Sequence, residues 1–270
     1  MFPVRIEQQY ISATERWFNG VSKLIIEDIF KEIKSDNTFS TDSIGDIYNR
    51  ISSAIEKHSG YGRKLFRSAY TRVYFAIDKR VKRETEKAAW GIGLQIDLPD
   101  EVANVILLNR VALNDSMWSE LFNYFKKDLV ETVRTAFGEG WSQSKIIDEI
   151  INRTGVIRSK AKFWASDQTG LAFGEMQKHR QTQVGFPGYI WRTKRDGRVR
   201  DSHIHLEGKY FPWSSGAQAD GKWLHPGYDN NCRCHPEPAF DESEADSQDV
   251  IQNSLNQINK KRLTMGKTRI

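Results

Sequence analysis

Cysteine is nearly absent from this 270-residue chain: it has two, Cys232 and Cys234, one residue apart. A disulfide between them would close a very small, strained ring, and secreted disulfide scaffolds carry more bridges, so a reducing compartment is expected. No apolar run approaches the roughly eighteen residues of a membrane span. The opening MFPVRIEQQYISATERW has no basic stretch followed by an apolar one, so no secretory leader is expected. A nucleophile elbow, a Walker loop and a Rossmann glycine pattern are all missing. Gly138-Glu139-Gly140 reads as a helix end rather than a phosphate cradle. No helix-turn-helix with a basic recognition helix stands out, which weighs against a host DNA-binding regulator.

What is present is the composition of a folded protein. Apolar residues make up 39% and aromatics 11% of a chain long enough for one large or two modest cores. A net charge of +5 and a pI near 9.1 suit a phosphate-rich partner or an acidic protein surface.

The first two-thirds has helical periodicity. Phe18, Val21, Ile25, Ile29 and Ile33 form one apolar stripe. A short segment from Ser43 to Lys57, with Asp42 or Ser43 as its cap, precedes a third helix marked by Phe66, Tyr70, Val73, Ile77 and Val81. That helix continues into the mixed-sign run KRVKRETEK, read as a solvated face. The glycines and proline of GIGLQIDLPDEV mark a connection and a boundary between the helical N-terminal part and the rest. Trp118, Leu121, Phe122, Phe125, Leu129, Val133 and Phe137 line a strongly apolar helix ended by Gly138 and Gly140. Ser142 then caps a helix stopped near Gly155, and a last one is expected from about Ser159 to Gln181.

After Gly185 the period changes. Asp196-Gly197, inside GYIWRTKRDGRVRDSH, is a dipeptide favoured in tight hairpins, so short strands and loops are expected to about Pro238. The remainder, acidic and then basic, reads as a flexible tail or a helix that orders on a partner. The fold class is α+β: a mainly helical N-terminal part with a small mixed C-terminal domain of short strands and loops.

Four of the six histidines fall in the same short stretch as both cysteines. In an extended segment Cys232 and Cys234 point to one face, so one ion could reach both sulfurs. Structural zinc takes four thiolate or imidazole ligands, and zinc is the cofactor this donor set suits. His203 or His205 would supply the third and His225 or His235 the fourth; the set chosen is His203, Cys232, Cys234 and His225. Two buried thiols with surface histidines is the plainer alternative. His203 and His205, beside Asp196, Asp201 and Glu207, also fit a catalytic metal, the basis of a rival nuclease reading. Arg192, Lys194, Arg195, Arg198 and Arg200 would form a basic stripe on a hairpin, joined by Arg233, able to meet phosphates or acidic side chains. Trp191 could stack on a base, although beside Tyr189 and Ile190 it suits a core.

The order of these residues resembles the phage Mu protein F-like family of minor head, or head-morphogenesis, proteins. The elements that carry it are Trp191, Asp196, Arg198, Arg200, His203, Leu206, Gly208, Phe211, Pro226, Cys232, Arg233 and Cys234. Upstream, Gly140 to Ser142 and the alanine-containing helix of Ala161 to Ala172 also fit, and the likeness runs over about 130 to 240. The family's Ala-Arg step reads Ala165-Ser166 here, followed by Asp167, Gln168 and Thr169.

The expected division is a helical region at 1–90, a domain at 100–240 that carries the head-morphogenesis resemblance, and a charged tail at 241–270, the first and last read from periodicity and charge. The resemblance implies a non-enzymatic minor capsid protein inside the head near the portal, made in the host cytoplasm. The portal protein is the implied partner; scaffolding or major capsid protein and double-stranded DNA are further candidates, and no membrane is involved. The alternative from another class is a metal-dependent nuclease or toxin-like effector carried in the virion.

Overall fold

The computed structural model describes residues 3–35, 41–141 and 143–268. Four long helices come first: α1 (Val4–Ser35), α2 (Thr41–Gly91), α3 (Glu101–Gly138) and α4 (Gln143–Val184). Short elements follow: β1 (Gly188–Arg192), α5 (Asp201–Ile204), β2 (Tyr210–Pro212), β3 (Ala217–Ala219), β4 (Lys222–Leu224), β5 (His235–Ala239), a 3-10 turn and α6 (Gln248–Thr264). The α+β class holds, mainly helical with a few short antiparallel strands near the C-terminal end. Of the α1 stripe Phe18 is buried; the side chains of Val21, Ile25, Ile29 and Ile33 lie outside the described residues, as do those of Asp42, Ser43, Lys57 and Phe137, and Ser142 itself.

Two expected helix breaks do not occur. The segments around Ser43–Lys57 and Phe66–Val81 are one 51-residue helix that runs through Gly60 and Gly62. A glycine inside a helix costs about 1 kcal/mol, but a Cβ at Gly62 would collide with the Trp17 indole, so the packing requires the missing side chain. The stop expected at Gly155 is likewise absent from α4. Ile146, Ile150, Ile157, Ala161 and Ala165 are all buried, and their spacing carries one apolar face straight past the glycine.

The residues form two compact units. One comprises Met1–Glu7, Val73–Leu108 and Ser166–Ile270, the other Gln8–Arg72 and Asn109–Ala165. The connection after Gly91 lies inside the first unit, so these units cut across the expected chain-order division. The second unit has an aromatic core of Trp17, Phe18, Phe66, Trp118, Phe122 and Phe125. Phe66 and Trp118 stack there at 3.9 Å between ring centroids. The Trp118 indole donates to Tyr10 Oη at 2.9 Å, and Tyr10 donates to Asn114 Oδ1 at 2.9 Å, so the buried polar ends are satisfied.

In the first unit β1 is the central strand of an antiparallel sheet ordered β2-β1-β5, with Tyr189 opposite Phe211 and Pro238. The expected hairpin at Asp196-Gly197 is not formed. The two-residue hairpin is made by the other Asp-Gly pair, Asp220-Gly221, between β3 and β4. Both residues have positive φ, at 51° and 72°, as the turn matched to strand twist requires. Gly197 serves packing instead: a Cβ there would meet Met265 and the Lys261 backbone of α6.

The charged tail, expected to be flexible or a helix that orders on a partner, contains α6, which packs within this chain. Ile258 is fully buried with Val199 and Ile204, and Leu255 packs against them. Arg262 reaches Asp201 at 2.7 Å, while Lys261 and Lys267 donate to the carbonyls of Arg195 and Gly197, each at 2.9 Å. The spacing of Ile251, Leu255, Ile258 and Arg262 gives α6 an inward face among its charges.

Candidate functional site

The site is assembled by three segments of the first unit. The turn Asp229–Cys232, with Asn231 at φ 51°, delivers Cys232 and then Cys234 just before β5. Asp167 of α4 fixes that turn by accepting the Asn231 N–H at 2.7 Å. Gly174 lets α4 meet the Pro226-Gly227 backbone, where a Cβ would come within 2.6 Å of the Pro226 carbonyl oxygen. The third segment is α5, whose first turn places His203 inward.

His203, Cys232 and Cys234 meet there, all nearly buried. His203 Nδ1 is 3.5 Å from Cys232 Sγ and 3.7 Å from Cys234 Sγ. Its Nε2 lies 3.9 Å from Asp229 Oδ2, and the Gly227 N–H donates to Cys232 Sγ at 3.4 Å. The Cys234 thiol, donating to Cys232, pulls the Cys232 pKa down, and burial pushes the Cys234 thiol up. The Trp191 ring closes one side, edge-on to His203 at 5.4 Å.

The fourth expected ligand is elsewhere. His225 bonds to Lys178 Nζ and Tyr189 Oη, each at 3.1 Å, and packs against Trp213. His205, the C-cap of α5 rather than part of a strand, is exposed. Adjacent to Cys234, His235 lines a cleft of about 450 Å³ with Thr85, Gln177 and Gln181. Sequence proximity grouped these histidines; the fold separates them.

Burial, reinforced by the Lys178 ammonium, pulls the His225 pKa down to about 4. Burial and then Arg180 pull that of His179 down as well. The His225 ring is neutral in the fold down to about pH 4 yet protonates near pH 6.5 when the chain unfolds. The unfolded state therefore binds more protons below that pH. Stability is fully present above about pH 6.5 and is lost as the pH falls from there toward about 4. Discounted for partial exposure, the His225 share is about 1–2 kcal/mol. Urea denaturation at neutral and mildly acidic pH checks this, and His225→Gln should flatten the dependence. An unchanged slope in that variant would refute the assignment to His225.

The basic stripe is largely neutralised from within. Arg192 pairs with Glu237 and Asp246, Arg195 with Glu207 at 2.8 Å, Arg200 with Asp229 at 2.7 Å and Arg233 with Asp196 at 2.7 Å. Lys194 is half-buried, and burial lowers its pKa. Arg198 is exposed; its backbone N–H bonds to Asp196. Glu207, fully buried, also accepts the Thr193 N–H at 2.6 Å. Nothing in the local sequence marked Glu207 or Asp229 as partners of these arginines, because each pairs across more than ten residues.

The remaining motif residues hold the unit together. Trp191 sits in a core with Tyr189, Leu206, Trp213, Leu224 and both cysteines, and Phe211 packs against it. Gly208, at φ 76°, donates to Trp191 O and accepts from the Asp246 N–H, where any side chain would strike Ile251 and Asp246. Asp196 caps the turn before Val199, and Pro226 is where α4 approaches closest. At the departure from the family pattern, the Ser166 hydroxyl donates to the buried Glu7 carboxylate.

Residues 127–236 match the family model of the phage Mu protein F like protein. This segment is Mu F-like. The matched segment holds every element of the site. A curated protein of Haemophilus influenzae, described as uncharacterized, is 28% identical over 155 residues. That match covers 57% of this chain and 32% of the relative, so the chain spans about a third of the relative's length. No solved structure matches. None of the described helices is long and apolar enough to cross a membrane.

Proposed function

We propose that this chain is a minor, non-enzymatic component of a tailed-phage head that binds the portal protein during assembly. The observation that carries the reading is the Mu F-like segment, in which Trp191, Leu206, Cys232 and Cys234 share one core and Arg233 pairs with Asp196. His203, Cys232 and Cys234 are 2–3% exposed, so the order Cys232–His203–Asp229, which would suit a thiol hydrolase, gives a substrate no access. That burial favours the structural reading over a virion-borne nuclease or effector.

Protein contact is favoured over DNA contact. Four of the arginines in and beside the stripe already have carboxylate partners, which removes most of its attraction for phosphate. Trp90, Val102, Val105 and Leu108 of the first unit are meanwhile largely exposed, and apolar side chains of this size suit a protein partner. The test is mass spectrometry of purified heads, combined with co-purification on tagged portal protein. The chain is expected in heads at low copy and in the portal fraction. Its absence from heads would overturn the proposal.

A further inference from the structure

We propose that His203 Nδ1, Cys232 Sγ and Cys234 Sγ are the protein ligands of a single bound zinc ion. The inference stands independently of the head-assembly reading. In a zinc tetrahedron with Zn–S near 2.3 Å and Zn–N near 2.0–2.1 Å, the sulfur–nitrogen edge is about 3.6 Å. The two sulfur–nitrogen separations, 3.5 and 3.7 Å, bracket that edge. One imidazole nitrogen facing two sulfurs at this spacing is the arrangement an ion at their centroid would impose.

Two neighbouring contacts support it. A ligating histidine characteristically directs its other ring nitrogen at a carboxylate, which fixes the ring and raises its basicity. Here Nε2 is turned to Asp229 at 3.9 Å and has no closer partner among the described residues. A backbone N–H aimed at a sulfur, as Gly227 is at Cys232, stabilises a thiolate. Asp229 is itself held by Arg200 at 2.7 Å, so an arginine of the basic stripe positions the ligand's support.

The topology gives the ion a structural task. His203 precedes β2 while the cysteines follow β4, so the metal would tie the two ends of a segment that contains β2, β3 and β4. These are three-residue strands, which bury little by themselves. Binding would displace the two thiol protons to solvent, leaving two thiolates and a neutral imidazole on Zn²⁺.

The experiment is elemental analysis of the full chain, expressed with added zinc and dialysed against metal-free buffer, followed by exchange of the metal for Co²⁺. About one zinc per chain is expected, with thiolate-to-cobalt charge-transfer absorption after exchange. His203→Ala and the Cys232→Ser/Cys234→Ser double variant should lose both signals, whereas His225→Ala should keep them. Far-UV circular dichroism reports whether each variant is folded. Wild-type protein that is folded yet holds no stoichiometric metal and gives no charge-transfer band overturns the proposal, whatever the variants do. Stoichiometric zinc retained by a folded double-cysteine variant overturns it equally, because the ion would then sit elsewhere.

Discussion

Arg180→Ala is expected to destabilise the first unit by about 3–5 kcal/mol, the range for removing one partner of a buried ion pair. The Arg180 side chain is fully buried. Its Nε donates to Asp78 Oδ1 at 3.0 Å and Nη2 to both Asp78 oxygens at 2.8 and 3.0 Å, a bidentate pairing. Nη2 also reaches Asp100 at 2.7 Å, and Nη1 donates to the Pro99 carbonyl at 2.7 Å. One guanidinium thus ties α4 to α2 and to the turn that starts α3. The hydrogen bond from Arg180, and then that from Lys82, hold the Asp100 carboxyl below its ordinary pKa. Truncation would strand the Asp78 carboxylate, itself nearly buried, without its counter-charge. Arg180→Lys would keep the charge but lose the fork, so an intermediate loss is expected. Urea denaturation measures all of these. The decisive comparison is Arg180→Met with Asp78→Leu. Because most of the loss is the uncompensated charge, the double variant should be more stable than Arg180→Ala. A double variant as unstable as the single one would show that packing, not charge, sets the effect.

Arg180 also shows which parts of this structure were legible in the sequence. Its helix could be read from the alanines and apolar residues around it, but its partners lie 102 and 80 residues away, and periodicity carries no information about such pairs. The breaks expected in α2 and α4 failed for a related reason. Gly155 reads locally as a stop, whereas α4 continues past it on one buried apolar face; in α2, Gly62 is tolerated because the Trp17 ring packs against it. The hairpin expected at Asp196-Gly197 forms instead at Asp220-Gly221, a pair of the same local chemistry. The choice follows from α6, which occupies the space beside Gly197, and from β1 finding partners in β2 and β5. The site was legible to the extent that it depends on spacing along the chain. The Cys-x-Cys spacing does put both sulfurs near one imidazole. His225 was misplaced because nearness in sequence says nothing about the Lys178 and Tyr189 side chains that hold it. The arginines were legible as positive charges but not as neutralised ones, since Glu207, Asp229 and Glu237 reach them through tertiary structure.

Trp191→Ala is the second large effect expected, again about 3–5 kcal/mol, made of the lost transfer free energy of a buried indole and the cavity it leaves. Trp191 is fully buried on the central strand, so neither flanking strand can close in without giving up its register with β1. Its ring meets Phe211 edge-on at 6.1 Å and His203 edge-on at 5.4 Å, so the cavity would open directly beside the imidazole and the two sulfurs. A local consequence accompanies the global one. In the native protein Cys232 and Cys234, each 3% exposed, should react with a thiol reagent only through unfolding. In Trp191→Ala they should react under native conditions, faster than the change in global stability accounts for. Trp191→Phe keeps a ring edge against His203 and fills much of the volume, so it should lose less stability and keep the thiols protected. Chemical denaturation and thiol-labelling kinetics on the same samples separate the two effects. Labelling that follows global stability alone across all three proteins would mean that the indole supports the fold but does not wall the thiol pocket.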